Sequence, residues 1–174
     1  MNQHDLEELI RPALPDGGPG PDGGWADLGA GEGNFTAALG SLLPGVHLTA
    51  VDRDRGALER LARRLPGVTV LAADFRAPLP LAGLDGVLMA NALHFVRDKR
   101  PVLDLVRAYL RPSGRLVVVE YDADRGNPWV PHPFSFPTWV RLAAEAGFGE
   151  ANRAGSIPSR FLGSMYCAWA AKPG

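Results

Sequence analysis

The segment Trp25-Ala-Asp-Leu-Gly-Ala-Gly-Glu-Gly-Asn34 sets Gly29, Gly31 and Gly33 at alternate positions between an apolar run and a helical pattern. Glycines there tolerate positive φ and let a ligand approach the backbone, while loop amides and the following helix N-terminus attract an anionic group. An acidic residue closes the next apolar run, in Thr49-Ala-Val-Asp52. In a doubly wound sheet a carboxylate at that tip lies beside the first loop, where it can accept both hydroxyls of a ribose. The pair predicts a ligand that carries adenosine. The loop reads G-x-G-x-G rather than G-x-G-x-x-G, with Asp27 just before it and Glu32 inside it. A pyrophosphate would be repelled by those carboxylates. A ligand with an ammonium, a sulfonium and one carboxylate is matched, because the loop and helix take its carboxylate and Asp27 balances its amine, directly or through water. The charges favour S-adenosylmethionine over NAD.

Further residues fall where the chemistry would lie. In Ala72-Ala-Asp-Phe75, Asp74 is placed to accept from the exocyclic amine of adenine and Phe75 to pack on the ring. Asp74 is equally suited to capping a short helix that follows it, and Phe75 to plain core. Asp54 reads as a helix N-cap. Methyl transfer from a sulfonium is an in-line displacement, served by orientation and exclusion of water, and needs a base only where the acceptor must lose a proton. His94, Glu120, Tyr121 and His132 fall at or just after strand ends, where open α/β sheets bind ligands. His94 is the first choice for a base or substrate contact, against a histidine tied to backbone at a strand end. Glu120 and Tyr121 read as ordering the site. The loop Gly126–Pro137 packs Trp129, Phe134 and Phe136 among Pro128, Pro131, Pro133 and Pro137, a rigid aromatic segment suited to an apolar pocket.

These residues need a scaffold, and the composition supplies one. With 174 residues, 46% of them hydrophobic and 21% charged, the chain is globular and long enough for one core without disulfide or metal staples. A net charge of −1 gives no basic field for a polyanion, and one cysteine excludes a disulfide framework. Apolar runs are too short to span a membrane, and the polar, acidic start is no signal peptide; a cytoplasmic setting is expected. Residues 4–11 carry a helical apolar stripe, and Pro15–Gly24 reads as a linker. Strands are predicted at 25–28, 47–52, 68–73, 84–90 and 115–120, and helices at 33–43, 55–65 and 101–110, with a further short helix after the third strand. Continuous apolar strands alternating with helices mean a parallel sheet covered on both faces. The tail adds a helix at 137–146, N-capped by Ser135, and strands at 151–156 and 165–170 joined by a loop, an antiparallel finish. Trp25, Trp139 and Trp169 read as core, and Cys167 as a small buried apolar residue.

Taken in order, these segments resemble the class I S-adenosylmethionine-dependent methyltransferases, especially the small-molecule group that includes the ubiquinone/menaquinone-biosynthesis type. Asp27–Gly33 matches the family's first motif, Val51-Asp52 the second and Ala73-Asp74-Phe75 the third. Met89-Ala-Asn-Ala-Leu-His-Phe95, Leu110–Glu120 and Ala146-Gly-Phe148 look like its later segments. The resemblance implies a Rossmann-like, three-layer α/β/α fold on a mostly parallel seven-stranded sheet with an antiparallel last strand. It implies Asp52 on ribose, Asp74 at adenine, the glycine loop around the methionine moiety and Asn91 lining the site through its backbone. The cofactor set is then Asp27, Gly29, Ala30, Gly31, Asn34, Asp52, Arg53, Asp74, Phe75 and Asn91. The acceptor set is His94, Tyr121, Trp129, His132 and Phe134, with S-adenosylhomocysteine as product and a small, partly apolar molecule as acceptor.

Two departures stand out. Residues 1–24 offer only a reduced cap, so the site is open or is completed by the 126–138 loop, a second copy or a partner chain. Ser113-Gly114 stands where Gly-Gly is frequent. No Asp/Asn-Pro-Pro-aromatic motif, Pro-Cys nucleophile or acidic metal cluster is present, which disfavours amino-methylating, cytosine-methylating and metal-dependent relatives; no metal and no nucleic-acid partner are expected. Two rivals remain: a non-catalytic or partner-dependent module that binds the same cofactor, and an NAD-dependent oxidoreductase.

Overall fold

The computed structural model describes residues 2–16 and 23–174. Of the stretch read as a linker, residues 17–22 lie outside the described residues. The chain runs α1 (Gln3–Ile10), β1 (Gly24–Leu28), α2 (Asn34–Leu42), β2 (His47–Asp52), α3 (Arg55–Arg64), β3 (Thr69–Ala72), β4 (Leu84–Ala90), α4 (Arg100–Tyr109), β5 (Leu110–Tyr121), α5 (Phe136–Glu145), β6 (Asn152–Pro158) and β7 (Ser164–Ala171), with short 3-10 turns at Arg11–Ala13 and Leu93–Phe95. The seven strands order as β3-β2-β1-β4-β5-β7-β6. All neighbouring pairs are parallel as far as β5, and β7 runs antiparallel to both β5 and β6.

Local chemistry accounts for the ends of the elements. Asn2 and Asp5 close a capping box on α1, Asp54 caps α3 by accepting from the Ala57 amide, and Ser135 caps α5. Such caps satisfy amides that the first helical turn leaves without partners. Ser113 stands at φ 63°, a conformation in which glycine carries no Cβ strain.

Successive side chains along each strand enter opposite layers. On one face Ala26, Leu28, Val87, Met89, Leu116, Val118, Tyr166 and Ala168 pack with Leu103 and Val106 of α4 and Trp139 and Ala143 of α5. On the other, Trp25, Leu48, Leu88, Val117, Val119 and Cys167 pack with α1 and α2, and Ala50 packs with Leu58 and Leu61 of α3. The result is three layers, α1–α3, sheet, α4–α5. Leu6, Leu9 and Ile10 of α1 are buried in this core, so α1 is a member of a helical layer. Two expectations are corrected. Residues 73–83 form turns and bends without a helix, because Pro78, Pro80 and Gly83 interrupt any helical run and Asp74 commits its carboxylate to Arg76 two residues on. Phe134, expected in an acceptor pocket, is 1% exposed in the core, in edge contact with Tyr166 and tilted against Trp139.

Candidate functional site

The carboxyl ends of β1–β4 frame two clefts that share a waist. Gly29, Gly31 and Gly33 have φ of 80°, 54° and 80°. The Gly29 backbone passes so close to the chain after β4 that a Cβ there would stand 2.7 Å from the Ala92 Cβ. Gly33 is the N-cap of α2. Asp52 holds the loop to the tip of β2: its Oδ2 accepts from the Gly31 amide at 2.8 Å and its Oδ1 from the Asp54 amide at 2.9 Å. Each of these oxygens keeps a further acceptor position.

The first cleft, about 430 Å³, is lined by Asp52, Arg53, Asp74, Phe75, Arg76, Ala92, Phe95 and Val96 among others, and the second, about 320 Å³, by Leu6, Ala30, Glu32, Asn34, Phe35 and Ala90. Gly29 and Asn91 line both. In the first, the Arg76 guanidinium, hydrogen-bonded to Asp74, holds that carboxyl at about 2. At the waist, Asn91 adopts φ 53° and donates its amide to Val119 O at 2.9 Å. Its side-chain Oδ1 is buried and has no hydrogen-bond partner among the described residues. An unpartnered buried acceptor is costly unless a ligand or water supplies a donor. Sequence reasoning expected only the backbone of Asn91 in the site; the buried, unpartnered Oδ1 adds its side chain.

Asp27 lines neither cleft. It is 2% exposed beneath the glycine loop and accepts from Thr36 Oγ1 at 2.6 Å. Burial lifts its pKa to about 7; the Thr36 bond opposes that rise and the Asp52 charge adds to it.

Beyond β4 buried side chains bond mainly to nearby backbone groups. Glu120, fully buried, accepts from the amides of Ala92 at 3.1 Å and His94 at 3.2 Å, and its other oxygen lies 2.8 Å from His94 Nδ1. His94 is itself 3% exposed, with the Phe95 ring 4.2 Å away and the Tyr121 ring edge-on at 5.4 Å. Lys99 Nζ donates to the carbonyls of Val96 and His132, and His132 N donates to His94 O. The structure thus brings together His94, Glu120, Tyr121 and His132, but none of them lines either cleft. Tyr121 is buried, and burial raises its hydroxyl pKa. Trp129 is 74% exposed on the outer edge and lines neither cleft. Sequence reasoning missed Leu6, Phe35, Arg76 and Phe95 as lining residues; Leu6, on the apolar stripe of the reduced cap, and Phe95, beside His94, carried some sequence signal.

Residues 26–116 match the family described as Methyltransferase domain. An uncharacterized methyltransferase of Mycobacterium tuberculosis is 37% identical over 98 residues, 55% of this chain and 49% of that protein. A demethylmenaquinone methyltransferase of Clavibacter sepedonicus is 36% identical over 99 residues, 55% of this chain and 40% of that protein. The chain therefore spans about half the length of the curated relatives it matches. The crystal structure of a Burkholderia thailandensis 1,6-didemethyltoxoflavin-N1-methyltransferase, with 1,6-didemethyltoxoflavin and S-adenosylhomocysteine bound, superposes with a TM-score of 0.76 over 99% of this chain and 78% of that one, at 23% identity; the likeness shows a shared fold.

Proposed function

The chain belongs to the methyltransferase domain family, and on that premise we propose that its paired clefts bind S-adenosylmethionine and that the chain transfers the methyl group to a small, partly apolar molecule. The observation that carries this reading is the shared waist. One ligand lying across Gly29 and Asn91 would fill a cleft bearing Asp52, Asp74 and Phe75 with its adenosine and a cleft at the start of α2 with its amino acid. The residues fit that group. Asp52 keeps free acceptor positions for ribose hydroxyls and Asn91 Oδ1 needs a donor, while Asp74, whose two oxygens are held by Arg76, would meet the adenine amine by exchanging that partner. When bound, S-adenosylmethionine supplies an electrophilic methyl on a sulfonium.

The chain's own residues would act by orientation. Gly29 allows the close approach that a side chain would block. Asp27, beneath the loop, gains a reason to ionise when a cation sits above it. Leu6 and Phe35 on the second cleft would pack along the amino-acid part of the cofactor, and Phe95 at the lip of the first gives an apolar wall to the acceptor. His94, its Nδ1 committed to Glu120, keeps Nε2 as the free ring nitrogen and is the proposed base where an acceptor must lose a proton.

A second reading is favoured by one observation: His94 lines neither cleft. A partner-dependent or non-catalytic module would bind the cofactor without turnover. Calorimetric titration with S-adenosylmethionine, S-adenosylhomocysteine and NADH tests the first step. Micromolar binding of the first two without NADH supports the cofactor reading, and NADH alone overturns it. Binding without methyl transfer across a panel of small acceptors favours the module.

A further inference from the structure

The most exposed large apolar side chains of the described residues are Trp129 at 74%, Phe95 at 60% and Phe161 at 60%. All sit at one end of the sheet. Phe95 follows β4, Trp129 follows β5, and Phe161 lies between β6 and β7, a loop that the pairing of Met165 with Tyr121 brings to the same edge. The loops are laced together. Asn127 Nδ2 donates to Phe161 O at 3.1 Å, and His132 N donates to His94 O at 2.9 Å. Asn127 Oδ1 accepts from the Trp129 and Val130 amides, which fixes the turn that presents Trp129 outward between Pro128 and Pro131.

Each loop also carries an exposed arginine: Arg97, Arg125 and Arg160. These side chains make no hydrogen bond or ion pair among the described residues. The neighbouring carboxylates are turned to other tasks. Asp98 accepts from the Arg100 amide, Asp122 from the Phe136 amide and Arg153, and Asp124 from the Ser135 amide and hydroxyl. Those carboxylates keep their charge but are drawn back against the helix starts and Arg153, so the rim presents aromatic tips with unpaired cations beside them, on a chain of net charge −1.

We propose that this edge docks on an anionic lipid surface, with Trp129 and Phe161 in the interfacial layer and Arg97, Arg125 and Arg160 at the head groups. Tryptophan and arginine have an apolar body and a polar end and favour that layer, and anionic lipid attracts basic residues held near it. A second copy fits less well, because a two-fold contact would bring the same arginines towards one another. A nucleic acid fits less well too, because the arginines stand on separate loops and the chain has no net basic charge. Docked in this way, the lip at Phe95 and the first cleft face the lipid.

The test is co-sedimentation of the full chain with vesicles of phosphatidylglycerol and phosphatidylcholine, against phosphatidylcholine alone. The chain is expected to pellet with the anionic vesicles, less with the neutral ones, and less as salt rises. Trp129→Ser with Phe161→Ser, and separately Arg125→Glu with Arg160→Glu, should each weaken binding about tenfold or more, with thermal unfolding confirming that both variants are folded. Failure to pellet with anionic vesicles overturns the proposal, as does equal binding by folded variants. Self-association that the same substitutions abolish, or their loss of binding to a single-stranded oligonucleotide with vesicle binding intact, overturns it in favour of the other occupants.

Discussion

Over β1–β3 the carboxyl edge is built from backbone, and over β4 and β5 from side chains. On the first side, glycines at positive φ lay the chain beside a cleft, and Asp52 pins them through a single amide while keeping acceptor positions open. On the second, Glu120 takes two amides and an imidazole, and Lys99 ties two carbonyls. Each side has a buried carboxylate near it, with different company: Asp27 has one side-chain donor and a pKa raised to about 7, while Glu120 is ringed by donors. One half leaves acceptor positions on Asp52 available to a visitor. The other has used its polar groups to hold itself rigid.

The contrast can be broken from either side. Glu120→Ala strips the acceptor from two buried amides and His94, and is expected to cost about 3–5 kcal/mol in chemical denaturation; a loss under about 1 kcal/mol would mean that the network does not hold this half. Glu120→Gln, which keeps an acceptor, should recover part of the loss. Phe134→Ala opens a cavity in the α5 layer and should cost about 3 kcal/mol or more, against under about 0.5 kcal/mol for Trp129→Ala. Equal effects would undo the assignment of one to core and the other to surface.

On the glycine side the effects are smaller and appear in binding. Asp52→Ala should weaken S-adenosylmethionine by about 1–3 kcal/mol in calorimetry, and unchanged affinity would remove Asp52 from the site. The smallest effect is a slope. The folded chain holds the Asp27 proton up to about pH 7, whereas an unfolded aspartate releases it near 3.8. Stability therefore falls as pH rises through that window, by about 1 kcal/mol between pH 6 and 7. Asp27→Asn, which keeps an acceptor for Thr36, should flatten that part of a thermal-unfolding profile relative to the parent chain.

Most of the fold was legible because its signals are local. Apolar runs located most of the strands, with His47–Asp52 and Leu84–Ala90 predicted to the residue, while β6 was placed by the lack of a helical pattern and β5 begins at Leu110, ahead of its predicted start; Asp54 and Ser135 announced the helix starts they cap. The short helix after β3 was misread because a capping aspartate looks the same when its partner is the arginine two residues later. Within the candidate cleft, Gly29 and Asp52 were legible because a loop between a strand and a helix has one place to go, and Asp74 and Phe75 because they follow a strand end at the same edge of a parallel sheet. The far half was not, since which of Trp129 and Phe134 turns inward depends on α5 and β7, segments distant in sequence. The bond between His94 and Glu120 joins residues 26 positions apart, and no local pattern announces it.

Leu6 belongs to two structures at once: it is buried between α1 and the sheet, and it walls the second cleft. Any opening that lifts α1 away removes that wall, so a ligand in the cleft binds the closed form alone and must slow the opening. The backbone amides of α1 become reporters at a distance. Their hydrogen exchange should slow as the cleft fills, although the ligand need touch none of them.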